Sequence, residues 1–343
     1  MTLLSAFWTA LWIVGVMVIV LTSSIVVTKV ARFVRQRRTA RLVAEVRPIV
    51  LAAIDEGGAA PILTDKKTKV AESIAISLLP KLRGADRDAL TSMLEANGVI
   101  EHAVRGLRSR SAARRQRSAE LLGNAGASAA ERELVGRLDD SDADVRITAA
   151  RALGRIGEQR SVDDLFRALA QHRIPANAAS MAVLRIGSVG APGIVAATNS
   201  HVPLVRSTAV ELAGSLGVME ARPAIELLLD DDDRTVRTSA ARALGRLSMP
   251  SSTAPLIDRL FRALEQPIDR SDDDFLVAMV DALGRIGHRS SIPVLESCFM
   301  RRHRLSLAAA NALSGMGVRR SIQQRSLAGE QRFDPRPSRH SHA

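Results

Sequence analysis

From residue 112 to 324 the apolar residues return at three- and four-residue steps, the spacing of one helix face. Over Asp139 to Ala170, Val145, Ala149, Ala152, Leu153 and Ile156 form one such stripe, and Gly157 ends it. Val162, Leu165, Phe166 and Leu169 form the next, so the stretch predicts two short helices joined by a turn. A single hairpin of this kind cannot cover both of its apolar faces. It must stack on copies of itself.

The copies are found through the closing glycine. Gly126, Gly157, Gly187, Gly217, Gly287 and Gly317 end similar runs, and Ser248 stands in the same place after Arg242 to Leu247. The steps between these seven positions are 31, 30, 30, 31, 39 and 30 residues. A fixed period near thirty built from two helices predicts an all-α chain forming an α-solenoid, an α-α superhelix of about seven hairpins. The 39-residue step implies an insert around Glu265 to Asp274, acidic and holding Pro267, which should loop out.

The residues Asp142 to Arg146, the similar runs ending at Arg206 and Arg237, the A-A-R-A-L-G-R core and the closing glycine resemble the HEAT-like repeat family. The match is to the short class of about thirty residues also seen in phycobilisome lyases. The resemblance implies that the second helix of each pair lines a concave face. Fold alone does not assign an activity.

Ahead of the repeats, Leu3 to Val27 is 25 residues without a charged side chain. About 20 apolar residues suffice to cross a bilayer. Charge begins at Lys29, which predicts an N-out, single-pass transmembrane helix with the rest of the chain on the cytoplasmic side of the plasma membrane. A cleaved leader would have its basic residues on the other side of the run. The expected organisation is a transmembrane helix at 1–28, a basic juxtamembrane helix at 29–56 with Val34, Leu42, Val46, Val50 and Ile54 on one side, and a linker at 57–64. A helical cap at 65–111, the solenoid at 112–328 and a basic, disordered tail at 329–343 complete it.

The net charge of +12 is unevenly spread. Residues 29–47 carry seven Lys or Arg against one Glu, and 301–343 carry nine Arg against two acids, so the body between is close to neutral. Lys29, Arg32, Arg35, Arg37, Arg38 and Arg41 could meet anionic lipid, or could serve only as a topology signal and a solvated helix face.

On the predicted concave helices Arg151, Glu211, Arg242, Asp281 and Asn311 occupy equivalent positions. Arg155, Arg185, Ser215, Arg246 and Arg285 lie four residues on, along the same side. Stacking turns these into two polar ladders that could grip carboxylates or phosphates of a long partner. The plainer alternative is a solvated face whose arginines pair with Glu211 and Asp281 in neighbouring repeats. Arg146, Arg206 and Arg237 begin the same helices and are expected to join repeats structurally. The acidic turns at 139–144 and 230–233 lack the glycine and distal Glu of a calcium loop, so capping of helix N-termini is expected instead.

No catalytic constellation, cofactor motif or metal-ligand spacing emerges. None of the seven His sits in HExxH or beside a Glu in the His-Glu pairs that the hydroxylase branch of HEAT-like proteins uses for metal. The single Cys298 excludes an internal disulfide framework. The leading expectation is a membrane-anchored scaffold that is not an enzyme. Its concave face would bind a protein partner at the membrane, a glycosyltransferase or a signalling protein. A solenoid that binds nucleic acid or another polyanion is the second reading, and the near-neutral body and 3% aromatic content argue against nucleic acid. A bilin-lyase-type enzyme is suggested by the repeat class alone.

Overall fold

The computed structural model describes residues 8, 12, 17, 20–24, 26, 29, 37, 40–54, 63–265, 273–300 and 303–318. Every regular element among them is helical. The chain divides into two compact units, Met1–Ala127 and Ser128–Ala343. The boundary falls just after the first closing glycine, Gly126.

In the first unit the run 40–54 is helical and is here α1. Val46 and Val50 are fully buried with Leu42 and Ile54 half-buried, so one stripe of α1 is covered, and the helix passes through Pro48 without a break. Glu45 on α1 pairs with Lys67 at 3.4 Å on α2 (Asp65–Leu78). Three further helices, α3 (Ala85–Ala96), α4 (Val99–Gly106) and α5 (Ala112–Ala125), pack on α2 around Leu90, Met93, Leu94, Val99, Leu107, Leu121 and Leu122.

The second unit is a two-layer stack. One layer holds α7 (Ala143–Ile156), α9 (Ala176–Ile186), α11 (Pro203–Leu216), α13 (Arg234–Leu247), α15 (Asp273–Ile286) and α17 (His303–Gly315). The other holds α6 (Glu131–Val135), α8 (Ser161–Ala170), α10 (Ala191–Ala197), α12 (Arg222–Leu227), α14 (Thr253–Glu265) and α16 (Ile292–Phe299). Helices of the first layer touch in chain order, each also resting on its partner in the second. Of the predicted stripes, Val145, Ala149, Ala152 and Leu153 of α7 and Val162, Leu165, Phe166 and Leu169 of α8 are buried, and Ile156 at the end of α7 is half-buried.

Glycine sets the spacing in the first layer. A Cβ added to Gly154 would lie 2.7 Å from the Ala182 Cα, one on Gly214 2.8 Å from Ala243 Cα, and one on Gly284 2.6 Å from Ala312 Cβ. The glycine stands three residues before the end of its helix's repeat and the facing alanine five before the end of the next. At one junction both residues are leucine, Leu184 and Leu212, and there α9 and α11 meet over much less of their length.

Helices α7, α11 and α13 end on a left-handed residue. Gly157 has φ +83° and Ser248 has φ +51°, a conformation that costs a side-chain-bearing residue. The Ser248 hydroxyl donates to the Gly245 carbonyl at 2.8 Å, which offsets part of that cost. Ser248→Gly is expected to raise unfolding stability by about 0.5 kcal/mol, read from the denaturant midpoint at unchanged m-value.

Between repeats, buried Glu131 accepts from Ser161 Oγ at 2.6 Å and from Arg160, and Glu226 accepts from Ser252 Oγ at 2.7 Å. Ser161, Ser252 and Ser291 are fully buried, each four residues after a closing residue.

One described segment, Ala176–Ala197, has the length and apolar composition of a membrane span. It is α9 followed by α10, broken at Gly187, and Ala179, Val183, Ile186 and Ile194 are buried in the stack. Its hydrophobicity is that of a core element. Most of Leu3 to Val27 lies outside the described residues, as do Val34, the insert after Glu265 and the tail at 329–343.

Candidate partner-binding face

The first layer of the second unit projects one row of side chains away from the core. Arg151 on α7, Arg185 on α9, Glu211 on α11, Arg242 and Arg246 on α13, Asp281 and Arg285 on α15 and Asn311 on α17 are exposed, and Arg155 is half-buried. They stand on one side because positions 4 apart on a helix share a face, and glycine-alanine contacts hold successive helices together at every junction but that of α9 with α11.

These residues are not equivalent in their surroundings. Glu211 accepts from Ser239 Oγ of the next repeat at 2.9 Å. Arg246 reaches back to Ser215 Oγ at 3.4 Å and the Glu211 main-chain carbonyl at 3.5 Å, so it meets no carboxylate there. Farther along, Arg242, Arg246, Asp281 and Arg285 line one cavity of about 450 Å³ together with Asp274 and Arg304. Arg304 pairs with Asp274 at 3.3 Å. Burial raises the Asp281 carboxyl above its ordinary value, and the nearby Arg285 and Arg242 charges only partly oppose that rise. Arg242 and Arg285 form no hydrogen bond or ion pair among the described residues.

Arg146, Arg206 and Arg237 make a different arrangement. In each, Nη1 donates to a carbonyl six residues earlier: Asp140 at 2.8 Å, Ser200 at 2.8 Å and Asp231 at 2.8 Å. Arg146 Nε also reaches the Arg173 carbonyl of the following repeat at 2.6 Å. Arg206 forks onto Asp231 with two bonds of 2.7 Å, and Arg237 lies 5.7 Å from the Phe275 ring centroid. A fourth member went unrecognised in the sequence. Arg115 donates to the Ser109 carbonyl at 3.0 Å, six residues earlier, and is itself buried. Its position 31 residues before Arg146 was the available signal.

The acidic turns cap helices. The Asp142 carboxylate accepts from the Asp144 and Val145 N–H groups at 3.0 and 3.1 Å, and Asp233 does the same for Thr235 and Val236 at 2.8 and 3.2 Å. Among the described residues no three His, Cys, Asp or Glu side chains converge as a metal site would require. Of the juxtamembrane cluster, Lys29, Arg37 and Arg41 are helical and exposed, whereas Arg32, Arg35 and Arg38 lie outside the described residues.

The first unit holds a second concavity, of about 600 Å³, with Lys69, Glu72, His102, Arg114 and Arg117 in its wall. Arg114 Nη2 lies 3.0 Å from His102 Nε2, and His102 Nδ1 lies 3.7 Å from the Glu72 carboxylate. Nothing in the sequence pattern pointed to this cluster, because its members come from three helices with no shared spacing.

Comparison with known proteins gives one consistent description. A family model for HEAT repeats matches residues 100–184 and 191–267. A HEAT repeat-containing taxis protein of Halobacterium salinarum is 35% identical over 171 residues, which is 49% of this chain and 39% of that one. An uncharacterized phycocyanin operon protein of Pseudanabaena tenuis is 28% identical over 118 residues, 34% of this chain and 58% of the other. The chain therefore spans less than two thirds of either relative. Importin beta aligns with a TM-score of 0.45 at 14% identity, over 85% of this chain and 46% of that structure. Residues 100–184 and 191–267 thus match HEAT repeats, and the described hairpins of the second unit stack as an all-helical, solenoid-like array.

Proposed function

We propose that the chain is a membrane-anchored scaffold that works by binding rather than by catalysis, and that its first helix layer is the concave face that receives a protein partner. The observation that carries this reading is the exposed arginine row, which opens into a cavity where Arg242 and Arg285 make no hydrogen bond or ion pair among the described residues. Regularly placed guanidinium groups on a stiff support favour a long partner over a small substrate. HEAT solenoids are typical of interaction scaffolds, which agrees with this use of the fold.

Two observations support the anchor. Leu3 to Val27 carries no charge, and its described members Trp8, Trp12, Met17, Val20, Leu21 and Val26 are helical with their side chains exposed. So many large apolar groups turned outward suit a lipid environment. The repeats would then lie on the cytoplasmic side, with Lys29, Arg37 and Arg41 against anionic lipid. The partner would be a membrane enzyme such as a glycosyltransferase, or a signalling protein. The taxis protein among the relatives makes the signalling class the first to examine.

Crosslinking the intact protein in its own membrane, followed by mass spectrometry, tests the reading. Linked peptides should map to the row from Arg151 to Arg285, and reversing Arg155, Arg185, Arg246 and Arg285 to Glu should remove the captured partner. Capture unchanged by the four reversals would overturn the assignment of the face.

A further inference from the structure

The charges at the α13–α15 end of the face identify the chemistry of what it receives. Four guanidinium-bearing residues and two carboxylates surround the cavity of about 450 Å³. Asp274 is already matched by Arg304 at 3.3 Å, and Asp281 lies near both Arg242 and Arg285 without an ion pair to either. Arg246 contacts only neutral oxygens, those of Ser215 and the Glu211 main chain. Positive charge is therefore in excess among the described residues, and the guanidinium groups of Arg242 and Arg285, with no ion pair there, suit carboxylate or phosphate oxygens.

The spacing of the row narrows this further. Packed helices stand about 8–10 Å apart, and the glycine-alanine contacts of α13 with α15 put that junction at the short end. A polyproline-type extended chain advances about 3.1 Å per residue and returns to the same face every third residue, about 9.3 Å on. The two pitches agree. Arginine occupies the α7 and α9 rungs, Ser215 interrupts at α11, and arginine resumes at α13 and α15.

We propose that the groove takes an extended acidic segment of its partner, with carboxylates at positions i, i+3, i+9 and i+12 facing Arg155, Arg185, Arg246 and Arg285 in turn. The proposal rests on the partner-face reading above. The pattern is the same read in either direction, so both chain polarities fit. Phosphate groups of a single-stranded nucleic acid would also satisfy guanidinium forks, but with 3% aromatic residues in the chain the stacking platforms such a ligand uses are scarce.

The test uses the full chain in detergent and three synthetic 13-residue peptides on a proline-rich background. One has Glu at 1, 4, 10 and 13, one has the same four Glu at 1, 3, 5 and 7, and one has Lys in the first register. A single-stranded oligonucleotide is the fourth probe. Calorimetric titration should show the registered acidic peptide binding about 10-fold tighter than the shifted one, with weaker binding at high salt. Arg246→Gln and Arg285→Gln should each weaken it about 10-fold. Asp281→Asn should tighten it about 3-fold, because a competing carboxylate is gone.

Equal affinity for the two acidic registers, weaker binding in Asp281→Asn, or preference for the Lys peptide or the oligonucleotide would overturn the proposal. If the peptides fail while membrane crosslinks still depend on Arg246 and Arg285, the acidic register is wrong and the partner face stands. Crosslinks that avoid the row would remove both.

Discussion

Arg206→Met should destabilise the second unit by about 3 kcal/mol, the cost of stranding a buried charge. Arg206 and Asp231 keep only 15% and 7% of their side-chain surface exposed and are joined by two hydrogen bonds of 2.7 Å. Burial pushes the Asp231 carboxyl up, but the Arg206 fork, the Asp233 N–H and the Arg206 and Arg237 charges more than reverse this and hold it below its ordinary value of 3.8. A carboxyl depressed on folding contributes stability that is fully present above its ordinary value and is lost as pH falls through the folded one. The gap between wild type and Arg206→Met should therefore be constant near neutrality and close below about pH 4. Arg206→Lys should recover only part of it, because one ammonium cannot span both carboxylate oxygens while holding the Ser200 carbonyl at 2.8 Å. Urea unfolding across pH checks all three statements. A Met variant within about 0.5 kcal/mol of wild type would mean that Asp231 is solvated after all.

Much of this architecture was legible because a repeat states its pattern several times. The closing residues gave the hairpin period, and the stripe from Val145 to Leu153 is buried as periodicity requires. The row from Arg151 to Arg285 could be placed on one side for the same reason. What the sequence did not disclose depends on pairs of repeats rather than on one. Glu211 turned to Ser239, Arg246 turned to neutral oxygens, and Arg242 and Arg285 make no hydrogen bond among the described residues, which only the offset between adjacent helices decides. The cluster of His102, Arg114 and Glu72 was hidden for a simpler reason, since its helices follow no common period. In the second layer α6, α10 and α12 are short, with 5, 7 and 6 residues. The 3-10 turns around α12, at Met219–Ala221 and Leu228–Asp230, are set by local hydrogen bonding rather than by apolar spacing.

Gly245→Val carries the second large effect, and it bears on the groove as well as on stability. A Cβ at Gly245 would sit 2.8 Å from Ala282 Cα and 3.0 Å from Ala282 Cβ, against backbone that cannot swing aside. Relief requires α13 and α15 to move apart, which unpacks fully buried Leu244, Met279 and Leu283 around the contact. Overpacking of this kind costs about 3 kcal/mol. Gly315→Ala supplies the control. That position has nothing within 4 Å of an added Cβ, so helix propensity alone should operate, a gain of about 0.5–1 kcal/mol. Leu184 and Leu212 stand at the positions that hold glycine and alanine at the other junctions, and there the two helices make a shorter contact. Gly245→Val should push α13 and α15 apart, pulling Arg246 and Arg285 out of register while leaving both residues in place. Partner capture should then fall even under conditions where the variant remains folded by circular dichroism. A variant that keeps wild-type stability would show that the glycine does not set the helix spacing. One that is destabilised yet binds normally would show that the spacing of the arginine row does not matter to the partner.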